Sequence, residues 1–192
     1  MPQRVCPWWL GYLLVSPLRR LVQDPRKVLA PYVREGMTVL EPGPGMGFFT
    51  LELARLVGPS GRVVALDLQP RMLAGLRRRA ARAGLLKQLD TRLVSADTLG
   101  LADLDRAVDF TLAFDVVHEL PSAEPFFAEV AKASKPSAGL LFVEPAGHVK
   151  APEFQAELAA ATRAGFELAE RPPIWRSRAA FLRRAEGIPE AG

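Results

Sequence analysis

Val39–Thr50 reads VLEPGPGMGFFT, and this stretch decides the fold. A short apolar run closes on an acid, Glu41, and three glycines follow at alternate positions, Gly43, Gly45 and Gly47. An apolar run rich in β-branched and large side chains that ends at glycine reads as a buried parallel strand entering a loop. Glycine lets the backbone take positive φ and lets a ligand approach without a Cβ in the way. The segment after the loop, FFTLELARLVG, has helical periodicity. The free amides and positive dipole end of such a helix favour a ligand rich in acceptors.

Working outward, a second apolar run, RVVALD, closes on Asp67 twenty residues after Gly47. A carboxylate at that distance, at the end of the next strand, can accept both hydroxyls of a ribose. Glu41, where the first strand meets the loop, can attract an ammonium group. The layout suits a ligand that carries both a ribose and an amino-acid tail.

The remaining chain alternates strands and helices. Ser16-Pro17 and Asp24-Pro25 have the pattern of an N-cap and first helical position, for PLRRLVQ and PRKVLAPYV. Met37–Glu41 is the first expected strand and Met46–Val57 the first core helix, followed by a turn at Gly58-Pro59-Ser60-Gly61. Arg62–Asp67 is the second strand. Gln69-Pro70 opens a helix that Gly84 closes, with Met72, Leu73, Leu76, Ala80 and Ala83 on one face. Leu89–Ser95, Val108–Asp115 and Ser137–Glu144 read as further strands, Pro121–Ala133 and Ala151–Ala164 as helices. The tail, FELAERPPIWRSRAAFLRRA, reads as a hairpin around Pro172-Pro173. This alternation implies an α/β fold, a doubly wound and mostly parallel sheet with helices on both faces. Ligands of such sheets bind beyond the carboxyl ends of the strands. Glu41, Asp67, Asp97 and Asp115 all fall at those ends.

The chain has 192 residues, 49% of them hydrophobic and 24% charged. That suffices for one well-packed domain and argues against wholesale disorder. The formal net charge is +4, which fits an arginine-rich surface or, alternatively, a face for a polyanion. Cys6 is alone, so it has no internal disulfide partner, and no Cys/His spacing offers a metal site. A reducing, cytoplasmic setting fits. MPQRVCPWWLGYLLV imitates a signal peptide, but it contains Pro7 and two tryptophans and meets no small-x-small cleavage site. It is too short to span a bilayer. The expectation is an N-terminal helical segment over residues 1–35, with Trp8, Trp9 and Tyr12 as a candidate active-site lid, and one main domain over 36–192.

Glu-x-Gly-x-Gly-x-Gly at 41–47, the strand-end Asp67, Ser-Ala-Asp at 95–97 and FDVVHEL at 114–120 together resemble the class I methyltransferases that use S-adenosylmethionine. Within them the chain is most similar to the small-molecule, ubiquinone-biosynthesis-like (type 11) branch, from about Pro31 onward. The resemblance implies a seven-stranded Rossmann-like sheet with one antiparallel strand, in agreement with the terminal hairpin. It implies that Glu41 and the backbone of Gly43, Gly45 and Gly47 hold the methionine part. Asp67 would bind the ribose hydroxyls and Leu68 would pack on the adenine. Asp97 would accept from the adenine amino group with Thr98 beside it, and Asp115 and Val116 would line the sulfonium region. S-adenosyl-L-methionine would be the cofactor, S-adenosyl-L-homocysteine the product, and a small molecule the methyl acceptor.

A sulfonium methyl is already activated, so alignment and exclusion of water can supply most of the acceleration. A base is needed only where the acceptor must lose a proton early. His118, three residues past Asp115, is the side chain near the site that can act as a neutral-pH base, and it is the candidate catalytic residue. Glu119, Glu144 and His148 point to the same edge, the last two as candidates for lining the acceptor pocket.

Three other readings remain open on sequence. A nicotinamide-linked dehydrogenase would share the fold, but Gly47 comes one place early for G-x-G-x-x-G and Phe48 takes the third glycine's place. A nucleic-acid methyltransferase is motivated by the arginines of the second core helix and the tail, although FDVVHEL differs from the Pro-Pro-Tyr signature that stacks a flipped base. A catalytically inactive cofactor-binding protein would keep the glycine motif without turnover.

Overall fold

The structure, a computed structural model, describes residues 23–95 and 97–186. Strands β1 (Thr38–Pro42), β2 (Arg62–Asp67), β3 (Leu89–Leu93), β4 (Val108–Phe114), β5 (Ser134–Pro145), β6 (Phe166–Glu170) and β7 (Ser177–Arg184) form one seven-stranded sheet. Its order is β3-β2-β1-β4-β5-β7-β6. The first five pair in parallel, and β7 runs antiparallel to both β5 and β6. β7 is thus the one reversed strand, and the tail is the hairpin expected from Pro172-Pro173.

The helices are α1 (Pro25–Leu29), α2 (Thr50–Val57), α3 (Pro70–Arg82), α4 (Ala123–Ala133) and α5 (Ala151–Arg163). Alternation along the buried strands sends side chains to both faces. In β5, Leu140 and Phe142 join a cluster with Phe126, Phe127 and Phe154 from α4 and α5. Their neighbours Leu141 and Val143 join the opposite cluster with Leu29, Phe49 and Leu53 from the α1 and α2 side. α3 seals a smaller patch with Leu73, Leu76 and Ala80 against Ala65. A parallel sheet buried on both sides explains why its strands read as continuous apolar runs.

The element boundaries differ from expectation in instructive places. α2 begins at Thr50 rather than Met46, because Gly47 takes φ +85° and keeps the preceding residues in a turn. α3 ends with Ala83 as its cap and Ala83 is exposed, so it leaves the buried face to Met72, Leu73, Leu76 and Ala80. α1 is a five-residue helix, with the Asp24 side chain accepting from the Arg26 amide at 2.9 Å. Leu29 at its end and Val33 just beyond it are buried in the main core. The helix expected at PLRRLVQ and the aromatic segment with Trp8, Trp9 and Tyr12 lie outside the described residues, except for Gln23, which is not helical. No described helix is long and apolar enough to cross a membrane.

Candidate active site

The strand order turns outward from β1 in both directions, so a crevice opens where β1 and β4 diverge. There the carboxyl ends of β1, β2 and β4 surround a cavity of about 490 Å³. That volume lies within the usual range for a small-molecule or cofactor pocket. Glu41, Gly43, Gly45, Asp67, Leu68, Asp97, Thr98, Asp115, Val116 and His118 all line it. One fold therefore brings together residues spread over seventy-eight positions of sequence.

The loop after β1 is shaped by its glycines, each for its own reason. Gly43 (φ +70°) lies against Val116, whose Cγ2 would stand 2.8 Å from an added Cβ. Gly47 (φ +85°) packs against Leu76, where a Cβ would collide, and it does not line the cavity. Gly45 (φ +54°) has no atom within 4 Å of such a Cβ. It faces open space, where a ligand can approach the backbone. Gly43 and Gly45 therefore hold the cradle's wall, while Gly47 is a packing glycine that ends the turn.

Glu41 is only 4% exposed, and its Oε2 has no hydrogen-bond partner. Burial, then the Thr50 hydroxyl in the opposite sense and the charge of Asp67, set its carboxyl at about 8, well above the ordinary value. A buried carboxylate with a free oxygen calls for a cationic partner. Asp67 is 9% exposed and accepts from the Gln69 amide at 2.8 Å through Oδ1. Burial raises it to about 6, against backbone hydrogen bonds from Gln69, Gly45 and Leu68 that pull it down. These observations fit S-adenosylmethionine: an orphaned buried acid for the ammonium group, an acid at the next strand end for the ribose, and an open glycine between them.

Asp97 and Thr98 occupy the loop after β3 and are exposed at the cavity's rim. The Thr98 hydroxyl donates to Glu129 of α4 at 2.9 Å, and Glu129 also accepts from the Leu99 amide at 3.0 Å. Glu129 lines the cavity as well. Its role in holding this loop was invisible in sequence, since it lies thirty-one residues away on another helix. Asp115 takes φ +55°, and its amide donates to the Val143 carbonyl at 2.8 Å. Aspartate tolerates this left-handed conformation better than most residues. The turn redirects the chain after β4 into the helical turn Val117–Glu119 and carries His118 over the sheet edge.

His148 also lines the cavity, its ring centroid 6.3 Å from that of His118. Glu144 does not line it. It is fully buried behind His118, where Oε2 pairs with the His118 Nδ1 and Oε1 accepts from the Val117 amide at 2.8 Å. Burial tends to depress the His118 imidazole, but the hydrogen bond and charge of Glu144, with Glu119 and Asp115 beyond, raise it above the free value. Among the described residues, no group of His, Cys, Asp and Glu is arranged to hold a metal ion.

Fold and site together define an S-adenosylmethionine-binding α/β domain, and comparison with known proteins agrees. The family described as "Methyltransferase domain" matches residues 39–137. The chain belongs to that family, with the fold of a class I S-adenosylmethionine-dependent methyltransferase. A ubiquinone/menaquinone biosynthesis C-methyltransferase UbiE of Brucella canis is 30% identical over 117 residues, covering 60% of this chain and 42% of that protein. A Methanocaldococcus jannaschii tRNA (adenine-N1)-methyltransferase, TrmI, is 38% identical over 56 residues, covering 29% of this chain and 20% of that protein. The matches span less than half the length of these curated relatives. Among solved structures, a SAM-dependent methyltransferase from Aquifex aeolicus superposes with a TM-score of 0.83 at 26% identity. That likeness covers 94% of this chain and 100% of the other.

Proposed function

We propose that this protein transfers the methyl group of S-adenosylmethionine to a small, apolar or aromatic acceptor by direct in-line displacement, in a cytoplasmic setting. The observation that carries the reading is the make-up of this cavity. Its wall carries the glycine loop and two buried acids, suited to the cofactor. The same wall carries His118, His148, Phe48, Phe49 and Phe114.

Among the described lining residues there is no lysine or arginine. Such a wall offers nothing to a phosphate or a nucleic-acid backbone, which basic side chains normally neutralise. It favours a neutral acceptor whose ring packs on phenylalanine. Glu41 and the backbone of Gly43 and Gly45 hold the methionine part, Asp67 the ribose, and Leu68, Asp97 and Thr98 the adenine. Asp115 and Val116 stand beside the sulfonium. His118 is the general base. S-adenosylmethionine would supply an activated methyl group, and the proton that the acceptor gives up would pass to the His118 imidazole. The several relatives named as ubiquinone or menaquinone methyltransferases support an electron-rich aromatic hydroxyl compound as the acceptor class.

Calorimetry with S-adenosylhomocysteine, followed by methyl transfer to a panel of catechols and reduced naphthoquinones, tests the proposal. His118→Ala should lower turnover by about 10²–10⁴-fold, the usual contribution of a positioned base, with little change in S-adenosylhomocysteine affinity. Binding of the homocysteine with transfer only to RNA would replace this reading with the nucleic-acid one.

A further inference from the structure

We propose that Glu144 is a positioning residue: it fixes the His118 imidazole with the proton on Nδ1, leaving Nε2 as the proton acceptor toward the cavity. The inference rests on the reading of His118 as the base and adds the group that makes it one.

The geometry is specific. Glu144 sits near the end of β5 with no solvent exposure. Its Oε1 accepts from two successive amides, Val117 at 2.8 Å and His118 at 3.3 Å, and its Oε2 meets the His118 ring. One carboxylate thus grips both the backbone of the turn and the side chain it carries. A carboxylate that accepts from amides is an acceptor toward the ring too, so the shared proton belongs to Nδ1. Nε2 is then the basic nitrogen, on a ring that lines the cavity.

The register explains how two residues twenty-six apart meet. Phe114 pairs with Val143 across β4 and β5, so Glu144 comes level with the left-handed Asp115. The turn that follows folds back over it. The other groups facing this pair are Asp115 at the end of β4, Glu119 on the turn, His148 in the loop after β5, Glu157 on α5 and Arg178, which stands opposite Glu144 on β7. Glu157 has a buried, unpartnered Oε2 and is raised to about 7 by burial, with Glu144 adding and His118 opposing. Glu144, with Glu119 and Asp115 beyond it, stabilises the imidazolium formed when an acceptor gives up its proton. The balance closes: the sulfonium charge disappears with the methyl group, and an equal charge appears on His118 beside Glu144.

The protein has two histidines, His118 and His148, so imidazole nuclear magnetic resonance is tractable, with His148→Gln assigning the signals. In the wild type, the nitrogen shifts of neutral His118 should report the Nδ1–H tautomer, and its titration midpoint should lie above the ordinary 6.5. Glu144→Gln should move that midpoint to lower pH. It should also cut methyl transfer to the catechol and reduced-naphthoquinone probes by at least about tenfold, a loss of about 1.4 kcal/mol of transition-state stabilisation. S-adenosylhomocysteine affinity should stay within about twofold, which is under about 0.5 kcal/mol. An Nε2–H tautomer in the wild type, or an unmoved midpoint in the variant, overturns the positioning role whatever the reaction. A shifted midpoint with undiminished transfer keeps the pair and overturns the base reading on which the inference stands. The tautomer measurement needs no variant, so a Glu144→Gln chain that failed to fold would leave that arm decisive.

Discussion

Glu41 and Asp67 stand at the ends of adjacent parallel strands, with Glu41 level with Ala65 and Asp67 just beyond, and both are buried. Burial raises each carboxyl, to about 8 for Glu41 and about 6 for Asp67, and the charge of Asp67 adds to the rise at Glu41. Burial therefore favours the protonated form of Glu41 in the free site. A cationic ammonium group arriving beside it reverses that preference.

Cofactor binding near pH 7 should consequently release a proton, approaching one per site. Calorimetric titration of S-adenosylmethionine in buffers of differing ionisation enthalpy reads this directly. The sign is set by Glu41 losing its proton to make the ion pair. Glu41→Gln should abolish most of the release and weaken binding. Equal enthalpies in all buffers would contradict the role of Glu41.

The same acid ties the stability of the free protein to pH. A carboxyl raised from 4.5 to about 8 on folding binds its proton more tightly in the folded state. Its stabilising contribution is fully present below the unfolded value and is lost as pH rises through the folded one. Thermal unfolding of the ligand-free protein should therefore show a Tm contribution from Glu41 that falls between about pH 4.5 and 8. Glu41→Gln should flatten that fall.

Asp67→Ala should weaken S-adenosylhomocysteine binding by more than about tenfold, because charge-assisted hydrogen bonds to two hydroxyls are lost. Asp67 also holds the Gln69 amide at the start of α3. A stability loss of about 1 kcal/mol, the usual net worth of one hydrogen bond, should accompany it. Unchanged affinity with reduced stability would leave Asp67 a purely structural residue.

Gly45 and Gly47 should separate in the same way. Alanine at Gly45 incurs the cost of a left-handed backbone, about 1–2 kcal/mol, but meets no neighbour. Its main effect should be on cofactor affinity. Alanine at Gly47 adds a collision with Leu76 in the α3 patch, so denaturant unfolding should show the larger stability loss there.

The amino-acid string alone settled the sheet class, the glycine loop, and the acids at the ends of β1, β2 and β4. These are local signals: an apolar run, a residue that tolerates positive φ, a carboxylate where the run stops. Glu41 and Asp67 were legible because each is fixed by its own strand's length. The start of α2 was not, since Gly47's conformation depends on packing against Leu76. Nor was the partnership of Glu129 with Thr98 and Leu99, or that of Glu144 with His118. Glu144 looked like one more acid at the rim, and only the β4–β5 register, with the left-handed turn at Asp115, places it beneath the histidine. Strand ends can be read one at a time. Which side chain lies behind which depends on register and crossing, and those are fixed by the packing of the whole sheet between its two layers of helices.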